Sequence, residues 1–508
     1  MATFRNPVLD GGPNAGHGDP FVLQDAGRYV LVHTGGTAVP AYESSDLVHW
    51  QRRGDALRAA APPHGAQVDL WAPEVLRDGD RLFMYVAATR LRPDGGGVDA
   101  ARRIWLARAT DPLGPFAWDP QPLVTDPWSI DAHPHRGSDG RLWLYYTTRT
   151  KTTRGPGGRP GSGNVVDRLV AVDRVEGRPS TVVVPTARWE ANAEGTAYWT
   201  EAPWVLERRG GQYQMYSGSL YSEPGYSIGG ALAPAPGGRW VKDAANPTFR
   251  GTTRIQGPGH NCVVRARDGV TPYAVYHGRL GARPGRKVHI DRLWWVGDRP
   301  LIAGGRPPTH PTHAPQPVPP AAAFDRDVAT WRVVVWVRGG RLTVANAPVA
   351  LHDAQLRQVD VHRGLHETTV RVDGVLVERR SAAGDGAPAL APADAIVSSA
   401  VTSCLQDDAM VTLAEGATRT WPWGGRRPLE VALAVRGQAE LRAGSSRRTA
   451  RAPRDEARLA VLLSPTGADV IEVRAGRGGA VVSDVVAVCR DESEAQDIAA
   501  ACDRWSAA

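Results

Sequence analysis

The sequence predicts an all-β chain: a five-bladed β-propeller over residues 1–303, followed by one or more β-sandwich domains. Three features carry that expectation. A strand-turn-strand pattern recurs five times in the first three hundred residues, helical periodicity is nearly absent, and a proline-rich stretch separates the repeats from further strand-like runs. With 508 residues and 42% hydrophobic composition the chain exceeds what one core can bury, so two or three units are expected.

Each copy opens on an acidic residue or histidine beside proline or glycine. It continues as a hydrophobic strand, turns on Asp and Gly, and ends in an aromatic-rich second strand, which is the pattern of a β-hairpin. The copies start at Asp19-Pro20-Phe21, Pro73-Glu74-Val75, Asp131-Ala132-His133, Glu201-Ala202-Pro203 and Gly259-His260-Asn261. Stretches between them, such as 103–109 and 169–172, supply more strands, and a repeat of roughly 50–70 residues suits four-stranded blades better than a solenoid. Twelve of the 17 tryptophans lie in this part, where packing between blades is the plain explanation for most.

If the first strand of every copy is the innermost of its blade, the residues that open it share one end of the central channel. Those residues are Asp19, Glu74, Asp131, Glu201 and His260. A single acidic residue at a strand start is often only a turn former. Several converging carboxylates repel one another, so a ring of them calls for a function, a metal or a partner.

Composition narrows the chemistry. The net charge of +7 comes from arginines scattered among nearly as many carboxylates, and the densest basic run, 446–451, is short, so a solvated surface is expected rather than a nucleic-acid site. None of the four cysteines forms a CxxC pair, which argues against a zinc site or a disulfide framework. The opening residues lack the charged and apolar regions of a secretory leader and no run is apolar enough to span a membrane. A soluble, cytoplasmic protein is therefore expected, with a trimmed leader as the alternative. Carboxylates beside aromatics (Trp71, Trp128, Trp199, Trp204, Tyr221), without a Ser-His or Cys-His nucleophile, point to sugar chemistry, which needs one protonated and one ionised carboxyl.

Six segments together resemble glycoside hydrolase family 43 over about residues 5–300: Asn6-Pro7-Val8-Leu9 with Gly18-Asp19-Pro20-Phe21, Ser44-Ser45-Asp46-Leu47-Val48-His49-Trp50, Trp71-Ala72-Pro73-Glu74-Val75, Ile130-Asp131-Ala132-His133, Thr200-Glu201-Ala202-Pro203, and Gly257-Pro258-Gly259-His260-Asn261. The resemblance implies a five-bladed propeller that hydrolyses with inversion, with Asp19 as general base, Glu201 as general acid, and Asp131 orienting Glu201 and raising its pKa. Inversion leaves room for a water, so the Asp19 and Glu201 carboxyls are expected roughly 6.5–9.5 Å apart. By the same resemblance His260 faces a calcium or water site in the channel, with no cofactor required for the reaction. His17, Trp71 and Trp128 are expected against the sugar. Arg292 is read as an arginine approaching the channel, with a salt-bridged arginine closing the last blade as the alternative. Glu74 is read as structural, and Glu190 and Glu194 as mobile and solvent-exposed.

Residues 304–320 read as a proline-rich linker and 321–508 as a β-sandwich region, divided into two subdomains near 382–395 if there are two. Its default role is packing or bounding the pocket, and residues 492–505 have helical spacing. The expected activity is removal of terminal pentose, α-L-arabinofuranosyl first and β-D-xylosyl next, from plant-derived oligosaccharides. The alternatives are a catalytically silent carbohydrate-binding propeller and a related propeller glycosidase acting on galactosides or fructosides. An oligosaccharide is the only partner expected, with no nucleic acid and no membrane; the sequence does not give the oligomeric state.

Overall fold

The computed structural model describes residues 3–489 apart from short stretches, the longest being 60–66, 92–97, 314–329 and 383–389. Much of the predicted linker, most of the 382–395 divide and the helical pattern at 492–505 lie outside the described residues. What is described is all-β, interrupted only by three short 3-10 turns.

Five antiparallel sheets follow one another along the first 302 residues; each has four strands except the third, which has five. Their first strands are β1 (Phe21–Asp25), β2 (Gln67–Asp78), β3 (Ser129–Arg136), β4 (Thr200–Arg208) and β5 (Ile255–Arg265). Each is paired with the next strand in the chain, so every sheet starts as a hairpin. The five first strands pack in series, and β5 returns to β1, which closes a ring. The N-terminal segment fastens that closure: Val8 N–H donates to Val288 O (2.9 Å) and Ile290 N–H to Asn6 Oδ1 (2.9 Å). Alternating apolar residues such as Leu31, Leu82, Met84 and Val275 are buried between sheets, where the period-two pattern puts them.

A backbone device recurs at the head of these strands. Asp19 (φ 58°), Ala72 (45°), Asp131 (54°), Ala202 (54°) and His260 (49°) are all left-handed. In β2 to β5 the pairing register slips at the same place, as a β-bulge does. The equivalent positions are therefore these five residues, and the ring inferred from sequence needs adjustment. Glu201 stands one residue before its left-handed position and Glu74 two after, because a bulge adds a residue that side-chain matching does not count. The positions two residues further in, Phe21, Glu74, His133, Trp204 and Cys262, make a second tier. In it Glu74 accepts from His133 (2.8 Å), and His133 in turn lies 4.4 Å from the Trp204 ring.

In the C-terminal region the principal strands are β6 (Trp331–Arg338), β7 (Leu356–Arg363), β8 (Ile396–Asp407), β9 (Leu429–Ala443) and β10 (Ala468–Cys489). They belong to one hydrogen-bonded network of eleven strands in which β6 pairs both β7 and β8, β8 pairs β10, and β10 pairs β9. Its core is filled by Trp421, Leu429, Val431, Ile471 and Val473.

This region meets the far ends of the first strands. Leu356 N–H donates to Asp80 (2.9 Å), Leu376 N–H to Ser138 O (3.1 Å), and Gly297 N–H to Asp484 (2.8 Å). Asp484 also takes the guanidinium groups of Arg208 and Arg209. The hairpin turns at these ends lie a full strand away from the heads that carry Asp19, Asp131 and His260. The described contacts thus brace the ring at its opposite end, and the expected pocket-bounding role is not what they build.

Candidate active site

Asp19 is the best-satisfied carboxylate at the heads. Its Oδ1 pairs with Arg286 (2.5 Å) and lies 3.1 Å from His260 Nδ1, its Oδ2 accepts from the Thr34 hydroxyl (2.5 Å), and its own N–H donates to His277 Nδ1 (3.1 Å). Burial alone would raise its pKa, but Arg286, then the charge and hydrogen bond of His260, hold it well below the usual carboxylate range. Thr34 also accepts from Ala72 N–H (2.9 Å), tying the first two strand heads together. A Cβ at Gly18 would stand 1.9 Å from the Arg286 guanidinium carbon, so a larger residue there would have to displace Arg286 from Asp19.

Glu201 is in the opposite state. It is buried, and burial followed by the neighbouring Asp131 charge pushes its pKa above the ordinary carboxyl range, while a hydrogen bond from Tyr226 (2.8 Å) opposes the rise. Asp131 accepts from the N–H of Ala202, the residue after Glu201 (3.1 Å), and from Thr147 (3.4 Å). Burial raises Asp131, His260 lowers it, and Asp19 raises it again. His260 works against its own burial: Asp19, then Asp131, lift it to about 9, so it is an imidazolium at neutral pH. Glu74 is raised well above its ordinary value by burial.

These positions fit a fixed cation better than a metal. A protonated imidazole has no lone pair on either nitrogen, and among the described residues no three His, Cys, Asp or Glu side chains group as metal ligands. The residues present do not fit a channel calcium held by His260.

The structure brings His17 beside Asp19, but buried: its Nδ1 meets His33 Nε2 at 3.0 Å, and burial lowers its pKa. Trp71 is over a third exposed (36%), and the Arg102 guanidinium lies 3.4 Å from its ring centre. Trp128 is half-buried and left-handed (φ 67°), with Arg149 3.6 Å from its ring centre. Arg292 is not at the site. It pairs with Glu430 (2.6 Å) of β9 and stacks on Trp294, so the salt-bridge alternative describes it. Glu194 is exposed, but Glu190 is fully buried and accepts from Thr186 N–H (2.6 Å), Ala187 N–H (2.8 Å), Tyr216 (2.8 Å) and Lys242. Four donors stabilise a buried carboxylate, so the expected mobile loop is pinned.

Sequence reasoning missed Arg286, Thr34, Tyr226 and His277. Only His277 carried a signal, as the last residue of the fifth repeat. Arg286 lies six residues before the arginine chosen in its place, outside any repeated segment.

A ring of sheets presenting an ionised aspartate and a protonated glutamate among exposed aromatics defines a glycoside hydrolase. The chain belongs to glycosyl hydrolases family 43, whose model matches residues 4–300. It is 29% identical over 288 residues to an extracellular exo-α-(1→5)-L-arabinofuranosidase of Streptomyces chartreusis, covering 51% of this chain and 82% of that protein. It is 28% identical to the β-D-galactofuranosidase xynD of Aspergillus niger, covering 51% of this chain and 72% of that protein. Among solved structures it resembles a thermostable family-43 glycoside hydrolase at 32% identity and a TM-score of 0.55, over 62% of this chain and 99% of that one. The expectation of a cytoplasmic address is corrected: related enzymes from two Streptomyces species are named extracellular, and the residues at which this sequence begins do not decide location.

Proposed function

We propose that the chain is an inverting, exo-acting glycosidase that releases terminal pentofuranosyl units, α-L-arabinofuranosyl first, from oligosaccharides. The carrying observation is that two buried carboxyls are driven apart, Asp19 downward by Arg286 and His260 against its burial, Glu201 upward by burial and Asp131. That is the division of labour that glycosidic hydrolysis needs. Asp19 takes a proton from water, Glu201 gives one to the departing oxygen, and Asp131 orients Glu201 through Ala202 N–H and keeps it protonated. No cofactor enters this reaction. The sugar assignment is supported by the names of the Streptomyces relatives.

In this reading the five sheets are the blades of one five-bladed propeller spanning 1–303. Residues 304–320 are the linker, and 321–508 form a separate β-sandwich region. A second reading is favoured by the Aspergillus niger relative, a galactofuranosidase, which shares the five-membered sugar ring. The test is hydrolysis of nitrophenyl α-L-arabinofuranoside, β-D-xyloside, β-D-galactoside and β-D-galactofuranoside by wild type, Asp19→Ala and Glu201→Ala. Activity on one furanoside that disappears in Asp19→Ala and falls in Glu201→Ala supports the assignment, and proton NMR of the first-formed anomer decides inversion. An inert protein that nevertheless binds arabino-oligosaccharides would make it a lectin.

A further inference from the structure

We propose that the leaving-group side of the site is built for an acidic sugar, a uronate whose carboxylate pairs with the Arg149 guanidinium on its Trp128 platform. The proposal rests on the reading of Glu201 as general acid, because the group beside a general acid on its open side is the one that departs. Arg149 directly follows the strand Leu142–Thr148, which pairs with β3 and so with the strand that carries Asp131. Its guanidinium lies 3.6 Å from the Trp128 ring centre and is acted on by the Glu201 charge.

The platform is held rigidly. Trp128 is kept left-handed (φ 67°), an unusual state for a bulky residue, and its N–H donates to Arg102 O (2.8 Å). Arg102 in turn stacks on Trp71 and donates to Asp69 O (2.6 Å). Backbone strain that positions an aromatic ring beside an active-site carboxyl is typical of a ligand contact.

Charge matching sets Arg149 apart. Arg286 answers Asp19, and Arg102 lies 3.4 Å from the Asp69 carboxylate. Arg149 is exposed and among the described residues forms no ion pair. A neutral sugar offers hydroxyls, which an amide or a hydroxyl can satisfy. A guanidinium fixed on an aromatic face, with no ion pair among the described residues, matches a carboxylate, which it can engage through two parallel N–H bonds.

The test compares kcat/KM for α-L-arabinofuranosyl-galacturonate and α-L-arabinofuranosyl-galactose, which differ at the leaving sugar only by carboxylate against CH2OH. Wild type, Arg149→Gln and Arg149→Lys are measured, with affinities for both disaccharides taken by calorimetry. The expected result is a preference of about tenfold for the uronate in wild type, the size of one charge-assisted hydrogen bond. The preference collapses towards unity in Arg149→Gln and falls to an intermediate value in Arg149→Lys, which keeps the charge but not the planar fork. The ratio is read within each variant, so a loss of folded protein does not move it. A wild-type ratio near one, or a preference that survives in Arg149→Gln, overturns the proposal and leaves the glycosidase reading standing. If no furanoside is cleaved, that reading fails, and calorimetry still decides the subsite: a uronate preference that Arg149→Gln abolishes upholds it, equal affinities overturn it.

Discussion

The N-terminal ring and the C-terminal strand network are both antiparallel β, yet they treat buried charge in opposite ways. Where the C-terminal region meets the ring, three buried carboxylates each have an arginine against them: Asp360 with Arg332, Asp484 with Arg208 and Arg209, Glu430 with Arg292. At the strand heads Asp19, Asp131, Glu201 and Glu74 share, among the described residues, one salt-bridged arginine, Arg286, and the His260 imidazolium, both on Asp19, while Arg102 and Arg149 act on Asp131 and Glu201 without a salt bridge. Compensated charges fix structure. Under-compensated ones force one carboxyl to keep its proton, which is a requirement of chemistry rather than of folding.

The largest effect that would sharpen this contrast is expected from Glu201→Gln. Steady-state kinetics on a disaccharide should show kcat lowered by about a thousandfold, within the range for loss of a general acid, with the melting temperature held or raised. Asp484→Ala should do the reverse. Denaturant titration should show a loss of about 3–5 kcal/mol, because buried Arg208 loses the Asp484 carboxylate, while kcat/KM of the folded protein stays within about twofold. Equal loss of activity in the two variants would break the comparison.

His260 gives an expectation for pH. Its folded pKa, about 9, lies above the ordinary histidine value of 6.5, so its stabilising contribution is complete below about 6.5 and is lost as pH rises through about 9. Denaturation curves across that window should record a decline that His260→Gln removes. Next in size, Arg292→Ala should cost about 2 kcal/mol by removing the Arg292 charge from beside buried Glu430, with KM unchanged. A raised KM would return Arg292 to the sugar site. The smallest effect is assigned to Tyr226→Phe. Its hydroxyl favours ionised Glu201, so removal should move the alkaline limb of the pH-rate profile upward by less than about one pH unit.

What the sequence disclosed follows from what repeats. Asp19, Asp131, Glu201 and His260 stand in five similar segments, so their type and spacing betray them. Arg286, Thr34 and Tyr226 reach the same carboxyls from unrepeated stretches, and only the closure of the ring brings them there. Sequence leaves Arg292 open between two readings because an arginine near the end of the last sheet can face the channel or the neighbouring region, and which it does depends on Glu430, which lies 138 residues on. Glu190 was misread because its loop is polar, whereas its burial depends on Tyr216 and Lys242 from other strands. The C-terminal region carries no motif, and its pairing of β6 with β8 joins segments that no local pattern links.

The left-handed residue at each strand head also separates frame from chemistry. Five sockets share one backbone shape, and they are filled here by Asp, Ala, Asp, Ala and His. An L side chain in that conformation costs roughly 1–2 kcal/mol relative to right-handed backbone, so glycine at Ala72 or Ala202 would relieve strain without disturbing the frame. The frame is thus common to all five heads while the chemistry is not: at Ala72 and Ala202, both buried, it carries no functional group.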